Sequence, residues 1–203
     1  MSRTVHRYFI INKPYDMVSQ FVSSHAVTLL GDLDFCFPEG THAVGRLDNH
    51  SEGLLILTTN KKVTNLLFQG EVPHKRTYLV KVKYTVSQES LDLLRTGISI
   101  QVRGGGYYTT ASCEAEIIER PENLFASAHE TTEYIPHTWL KITLTEGKFH
   151  QVRKMVGAIH HRCVRLIRQS IEDLELADLP VGGVREIDET VFFRQLGIDR
   201  GGE

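Results

Sequence analysis

Apolar and polar residues alternate, cluster and break along this chain in ways that predict most of its elements. Tyr8-Phe9-Ile10-Ile11 is a short apolar run of strand type, stopped by Asn12-Lys13-Pro14. Residues 28–36 are compatible with a short helix, and Pro38-Glu39-Gly40 reads as a turn. Leu54-Leu55-Ile56-Leu57-Thr58-Thr59 is apolar and β-rich, as a central strand is. Asn60 then caps a helix with Val63, Leu66 and Leu67 on one face, ending near Gly70. Residues 77–85 alternate, with Tyr78, Val80, Val82 and Tyr84 against Leu79, Lys81 and Lys83, which predicts a half-buried strand.

Ser87 is placed to cap a helix that ends at Gly97. Residues 98–118 form a meander around Gly104-Gly105-Gly106; with no Gly-Lys-Ser/Thr following, these glycines read as a hairpin turn rather than a phosphate loop. An irregular loop covers 119–136, and 139–145 alternates as a strand. Phe149, Val152, Val156 and Ile159 have helical spacing, and 162–171 reads as a strand with Val164, Leu166 and Arg168 on one face. Asp188 caps a last helix through Phe192 and Phe193. Strands outnumber helices and their links are short, so the expected class is α+β with a mostly antiparallel sheet.

Composition narrows the function classes. The chain has 203 residues, 41% hydrophobic and 24% charged, which is globular usage. No apolar run approaches the ~20 residues of a membrane span. The first residues lack the basic-then-apolar layout of a secretory signal. Cys36, Cys113 and Cys163 are widely spaced with no Cys-x-x-Cys pair, so a reduced, cytoplasmic protein is expected, without a disulfide framework or zinc ribbon. With no heptad seam or long apolar helix left over, a monomer is expected.

The net charge of −2 conceals a segregation. Lys148, Arg153, Lys154, Arg162, Arg165 and Arg168 fall in a stretch from Gly147 to Ile171 that contains no acid. From Glu172 onward nine acids face only Arg185, Arg194 and Arg200. Such a run suits either a polyanion-binding surface or a solvated helix face.

Three segments could carry chemistry. Gly45-Arg46-Leu47-Asp48-Asn49-His50-Ser51-Glu52-Gly53 is turn-rich and feeds an apolar strand. Arg46 and Asp48 project to one side if the chain is extended there. A guanidinium favours the ionised form of a nearby carboxylate, which can then act as a nucleophile; a structural Arg–Asp pair is the alternative. Glu146-Gly147-Lys148-Phe149-His150-Gln151-Val152-Arg153-Lys154-Met155 spans a strand-to-helix transition suited to phosphate, or is simply an exposed helix start. Lys75-Arg76-Thr77-Tyr78 opens a strand, where a tyrosine either stacks on a nucleobase or packs in the core.

In order and wording these segments resemble the RsuA/RluB/RluE/RluF family of ribosomal RNA pseudouridine synthases, from about Tyr8 to about Ser170. Asn12-Lys13-Pro14 is similar to the family's opening motif, and Gly45-Arg46-Leu47-Asp48 with Ser51-Glu52-Gly53-Leu54-Leu55 to its catalytic motif. Lys75-Arg76-Thr77-Tyr78 resembles its Lys-x-Tyr strand, Glu146-Gly147 with Gln151-Val152-Arg153-Lys154-Met155 its late motif, and Arg165-Leu166-Ile167-Arg168 its Arg-Leu-x-Arg. Asn12-Lys13-Pro14-Tyr15-Asp16 and Trp139-Leu140-Lys141-Ile142-Thr143-Leu144 are closest to the RluE subgroup. Lys148-Phe149-His150 departs from a usually more basic trio, and Lys154 stands where an arginine is usual.

The resemblance implies a pseudouridine synthase fold: a mixed, mostly antiparallel sheet in two lobes, with flanking helices and a central RNA-binding cleft. It implies one catalytic domain over residues 1–203, with no separate small RNA-binding domain before Tyr8. It assigns Asp48 as the catalytic aspartate, Tyr78 as the tyrosine against the target base and Arg153 as the aspartate's basic partner. Leu166 would lie under the base and Arg46 would help hold the nucleotide. Lys148, Lys154, Arg165 and Arg168 would grip phosphates. The expected partner is ribosomal RNA, most closely that of the large subunit, with small-subunit rRNA or tRNA as alternatives. No cofactor is implied, because the isomerisation needs neither redox change nor an energy source. The competing classes are a non-catalytic RNA-binding protein on the same fold and a carboxylate hydrolase of small substrates.

Overall fold

The structure is a computed structural model that describes residues 5–68, 72–127 and 134–199. The chain forms two compact units, one from residues up to His74 together with those from Arg168 onward, the other from Lys75–Ile167.

Unit one is built on β1 (Tyr8–Lys13), β2 (His42–Val44), β3 (Glu52–Thr58), β10 (Leu174–Glu175) and β11 (Val184–Ile187), with helices α1 (Lys62–Phe68) and α4 (Glu189–Leu196). β1 lies between β11 and β3 and pairs antiparallel with both. Every residue of β1 and β3 is buried, because each is flanked by strands and covered on its faces. The strand therefore includes Asn12 and Lys13, which the sequence pattern places in its stop signal.

Side chains at the helix starts match their expected roles. Asn60 Oδ1 accepts from the Lys62 amide at 3.1 Å, while its Nδ2 donates to the Tyr8 hydroxyl at 3.0 Å. Asp188 Oδ1 accepts from Thr190 and Val191 amides and caps α4. Tyr8 packs against Phe192, tilted, and Phe193, edge-on, with centroids 4.6 and 5.6 Å away, which seats α4 on β1. The end of α1 near Gly70 lies outside the described residues. The helix expected within 28–36 is only a 3-10 turn, Leu30–Asp32: the Asp32 carboxylate takes the Leu29 amide at 2.7 Å and closes the turn locally.

Unit two contains β4 (Arg76–Lys83), α2 (Gln88–Thr96), β5 (Ser99–Gln101), β6 (Tyr107–Thr109), β7 (Glu114–Ile118), β8 (His137–Leu144) and α3 (Gln151–Ala158). β9 (Cys163–Ile171) begins in this unit and ends in the other. The hydrogen-bonded order here is β9-β4-β8-β7, with β8 antiparallel to both β4 and β7. β5 and β6 form a separate hairpin, whose Gly104 and Gly105 have φ of +98° and +90°, a backbone only glycine adopts freely. The turn reading of the three glycines is therefore correct.

Val80, Val82, Leu140 and Ile142 pack with Leu91 and Leu94 of α2 and with Val152, Met155 and Val156 of α3. Two expectations change here. β4 is buried on both faces, since Leu79 and Lys81 are covered as well as Val80 and Val82. Phe149 lies outside α3 and is 55% exposed, because His150 in a left-handed conformation turns the chain just before the helix.

Candidate active site

The loop joining β2 to β3 carries Arg46 and Asp48. It leaves β2 through Gly45 at φ +72°, where a Cβ would come within 2.8 Å of the Phe68 ring. Leu47 is buried, and Ser19 Oγ holds its backbone from both sides: it accepts from the Leu47 amide at 3.0 Å and donates to the Leu47 carbonyl at 2.9 Å. The Ser51 amide donates to the Asp48 carbonyl at 2.9 Å, closing a turn into β3. Asp48 is half-buried between these two anchors, while Arg46 is exposed.

Lys13 supports the loop from below. It is completely buried, and its ammonium donates to the carbonyls of Pro14 and Met17 at 2.7 Å and of Asn49 at 3.2 Å. Burial pushes its pKa down to about 8, against the pull of the Glu52, Asp48 and Asp16 carboxylates; Arg168 adds a smaller push downward. Asp16 fastens the same turn, accepting from Asn49 Nδ2 at 2.7 Å and donating its amide to the Asn49 carbonyl at 3.0 Å. Tyr15 stacks on His50, with centroids 5.0 Å apart.

Unit two positions the remaining predicted residues. Tyr78 stands opposite Ile142 on β4, half-buried against the core. Leu166 of β9 is buried in the same cluster, and Arg153 is half-buried in the first turn of α3. Glu146 organises the entry to α3. Its Oε2 accepts from the Tyr108 hydroxyl at 2.5 Å, and its Oε1 accepts from Gln151 Nε2 at 2.6 Å and the Ala111 amide at 3.0 Å. Gln151 Oε1 in turn accepts from the Lys148 amide at 2.8 Å. Donating to Glu146 raises the pKa of the Tyr108 phenol. Lys148 is exposed and Lys154 half-buried.

Residues 7–158 match the family described as RNA pseudouridylate synthase. The chain belongs to that family. It is 34% identical to the ribosomal large subunit pseudouridine synthase E of Vibrio vulnificus (strain CMCP6), over 92% of this chain and 77% of the relative. It is 30% identical to the protein of the same description from Xanthomonas axonopodis pv. citri (strain 306), over 82% of this chain and 86% of that one. A crystal structure of a pseudouridylate synthase superposes with a TM-score of 0.75 at 25% identity, covering 95% of this chain and 74% of that one. The synthase is thus an isomerase of RNA uridine, and the family and fold that its motifs resemble are its own.

The synthase does not present its basic run as one surface. Arg165 and Arg168, expected on phosphates, are buried in the middle of β9. Arg165 donates to the Phe125 carbonyl at 2.8 Å and lies over the Phe125 ring; Arg168 donates to the Leu54 carbonyl at 2.8 Å. β9 is covered on both faces there, so both cations serve backbone acceptors in the interior. Lys13 supports the candidate site and had no role assigned from sequence. Its signal was a lysine ending an apolar strand immediately before a proline, in the segment that resembles the opening motif. The Cys113 thiol, pushed up to about 11 chiefly by burial, is a poor nucleophile.

Proposed function

We propose that the synthase converts one uridine of large-subunit ribosomal RNA to pseudouridine, with Asp48 as its catalytic carboxylate. The observation that carries this reading is the Asp48 loop. Asp48 is half-buried between a pinned Leu47 and a closed turn to Ser51, over a buried ammonium that holds the Asn49 carbonyl. Loops of structural use alone rarely place a buried charge beneath a half-exposed carboxylate, because the desolvation is costly. The choice of large-subunit RNA rests on the descriptions of the Vibrio and Xanthomonas relatives.

The target uridine leaves its stack, since its reacting atoms are inaccessible inside a helix. The N1–C1′ bond breaks, uracil rotates, and a C5–C1′ bond forms. C5 gives its hydrogen to solvent and N1 takes up a proton, so no oxidant is consumed. Asp48 initiates this by attack on C6 or C1′, or by removing the C2′ proton; each route needs an aimed carboxylate. Tyr78 packs on the detached ring and Leu166 lies beneath it, excluding water. The motif resemblance gives Arg153 the role of basic partner to the catalytic aspartate, and Arg46 holds the neighbouring backbone of the RNA. Lys148 and Lys154 contact phosphates.

The test is release of the C5 hydrogen from tritiated, protein-free large-subunit rRNA by wild type and Asp48→Ala. Wild type is expected to release tritium. The variant should release about 10³-fold less or none, while melting as wild type does and binding RNA with similar affinity. Equal loss of folding and activity in Asp48→Ala would make the loop structural. Release only from small-subunit rRNA or tRNA would move the substrate assignment.

A further inference from the structure

The β5–β6 hairpin and the entry to α3 gather three cations around two aromatic rings, the exposed Phe149 and the half-buried Tyr108. The Arg103 guanidinium lies 5.5 Å and the Lys154 ammonium 5.3 Å from the centroid of Phe149. The Lys148 ammonium lies 4.6 Å from the centroid of Tyr108. Phe149 itself stacks on His150, with centroids 3.8 Å apart. Among the described residues none of these three cations pairs with a carboxylate. The nearby acid, Glu146, already accepts three hydrogen bonds from Tyr108, Gln151 and Ala111. Tyr107, next on the hairpin, is 78% exposed with its ring in solvent.

This arrangement is costly without a ligand. Like charges share one aromatic ring, and two large rings remain in water. Arg103, Tyr107 and Phe149 do not belong to the core of unit two, although Tyr108 packs against it. A polyanion with flat apolar faces would relieve both costs. Cations beside stacking rings are the combination that holds single-stranded nucleic acid, the cations on phosphates and the rings on bases.

We propose that this patch is an accessory docking platform for an unpaired segment of the substrate RNA outside the flipped uridine. Arg103, Lys148 and Lys154, collected by Phe149 and Tyr108, take backbone phosphates, and Tyr107 stacks on a base. The platform rests on the reading of the chain as an RNA-modifying synthase and adds Arg103, Tyr107 and Phe149 to its RNA contacts. It also gives a physical reason for Lys148-Phe149-His150 in place of a more basic trio: the phenyl ring recruits its second cation from the hairpin.

The experiment is equilibrium binding of protein-free large-subunit rRNA transcript between about 50 and 200 mM salt, for wild type, Arg103→Ala/Tyr107→Ala, Phe149→Ala and Arg194→Ala. Arg194 is exposed on α4 in unit one and controls for bulk charge. The double variant is expected to bind about 10-fold more weakly, from one lost stack and one lost phosphate contact. The slope of log K against log salt should fall by about 0.7 for that single-strand phosphate. Phe149→Ala should flatten the slope too, by releasing Arg103 and Lys154, and Arg194→Ala should change neither quantity. Melting curves confirm that the variants are folded.

Unchanged affinity and slope in the double variant overturn the platform, as does an equal loss in Arg194→Ala. Absence of wild-type binding to large-subunit, small-subunit and tRNA transcripts overturns it as well. If tritium release fails while binding still depends on Arg103 and Tyr107, the assignment of activity falls and the platform stands. If release succeeds and binding ignores those residues, only the platform falls.

Discussion

The Asp48 loop and the entry to α3 both carry residues proposed to contact RNA, but they are held by opposite means. Under the Asp48 loop the support is interior: Lys13 is buried and spends its donors on three carbonyls, and Ser19 grips Leu47 from both sides. At α3 the support is nearer the surface: Glu146 ties together three donors, and the exposed Phe149 and half-buried Tyr108 hold their cations by ring contacts. Interior hydrogen bonds to a charge are strong, directional and costly to break. Contacts between exposed cations and rings are weak and give way easily. The first kind suits a carboxylate that must be aimed at one atom. The second suits phosphates and bases, whose positions vary along an RNA strand.

Removing the interior support should have the largest effect. Lys13→Met leaves the carbonyls of Pro14, Met17 and Asn49 without this donor and removes the attraction between its ammonium and the Glu52, Asp48 and Asp16 carboxylates. A loss of about 2–4 kcal/mol at pH 7 is expected, measured by urea unfolding. A loss below that of an ordinary surface substitution would mean that the loop is held without Lys13.

The same lysine gives a pH signature of known sign. Its pKa is about 8 when folded and 10.5 as an unperturbed side chain. Between those values the unfolded chain binds more protons than the folded one, so Lys13 makes stability rise with pH there. Wild type should gain about 2 kcal/mol on Lys13→Met between pH 7 and pH 9.5, read from paired unfolding curves. A gap that stays constant over that range would show that the ammonium titrates as an exposed one.

These two regions were not equally legible in the sequence. Helix starts at Asn60, Ser87 and Asp188 could be read because each cap is a local event: a side-chain oxygen meets an amide two or three residues on. The apolar run before Thr59 announced β3 for the same kind of reason. Strands β2, β10 and β11 could not be read so. They have three, two and four residues, and Val184–Ile187 carries Arg185 and Glu186, so only pairing with a distant strand makes them β.

Asp48, Tyr78 and Arg153 were nameable through motif resemblance. What surrounds them was not. Arg165 and Arg168 look like surface charge in a linear reading, and only the burial of β9 turns them inward. Phe149 fits a helical period, but the left-handed His150 breaks that period one residue later. Lys13 lies in a legible motif, yet its role depends on carbonyls at Met17 and Asn49, and no spacing rule connects position 13 to position 49.

The smallest expected effect tests the surface side of the contrast. Glu146→Gln keeps the shape of the carboxyl group and removes its charge. The amide oxygen can still accept from Ala111 and Gln151, and its NH₂ can donate to the Tyr108 oxygen if that hydroxyl rotates away. The three links therefore persist as neutral hydrogen bonds, and the expected loss is about 1 kcal/mol. The Tyr108 phenol, whose pKa is raised because it donates to Glu146, should then titrate at lower pH, visible as an earlier rise in tyrosinate absorbance. A loss as large as that of Lys13→Met, with no change in the tyrosine titration, would place Glu146 among the rigid supports and erase the distinction between an aimed loop and a yielding platform.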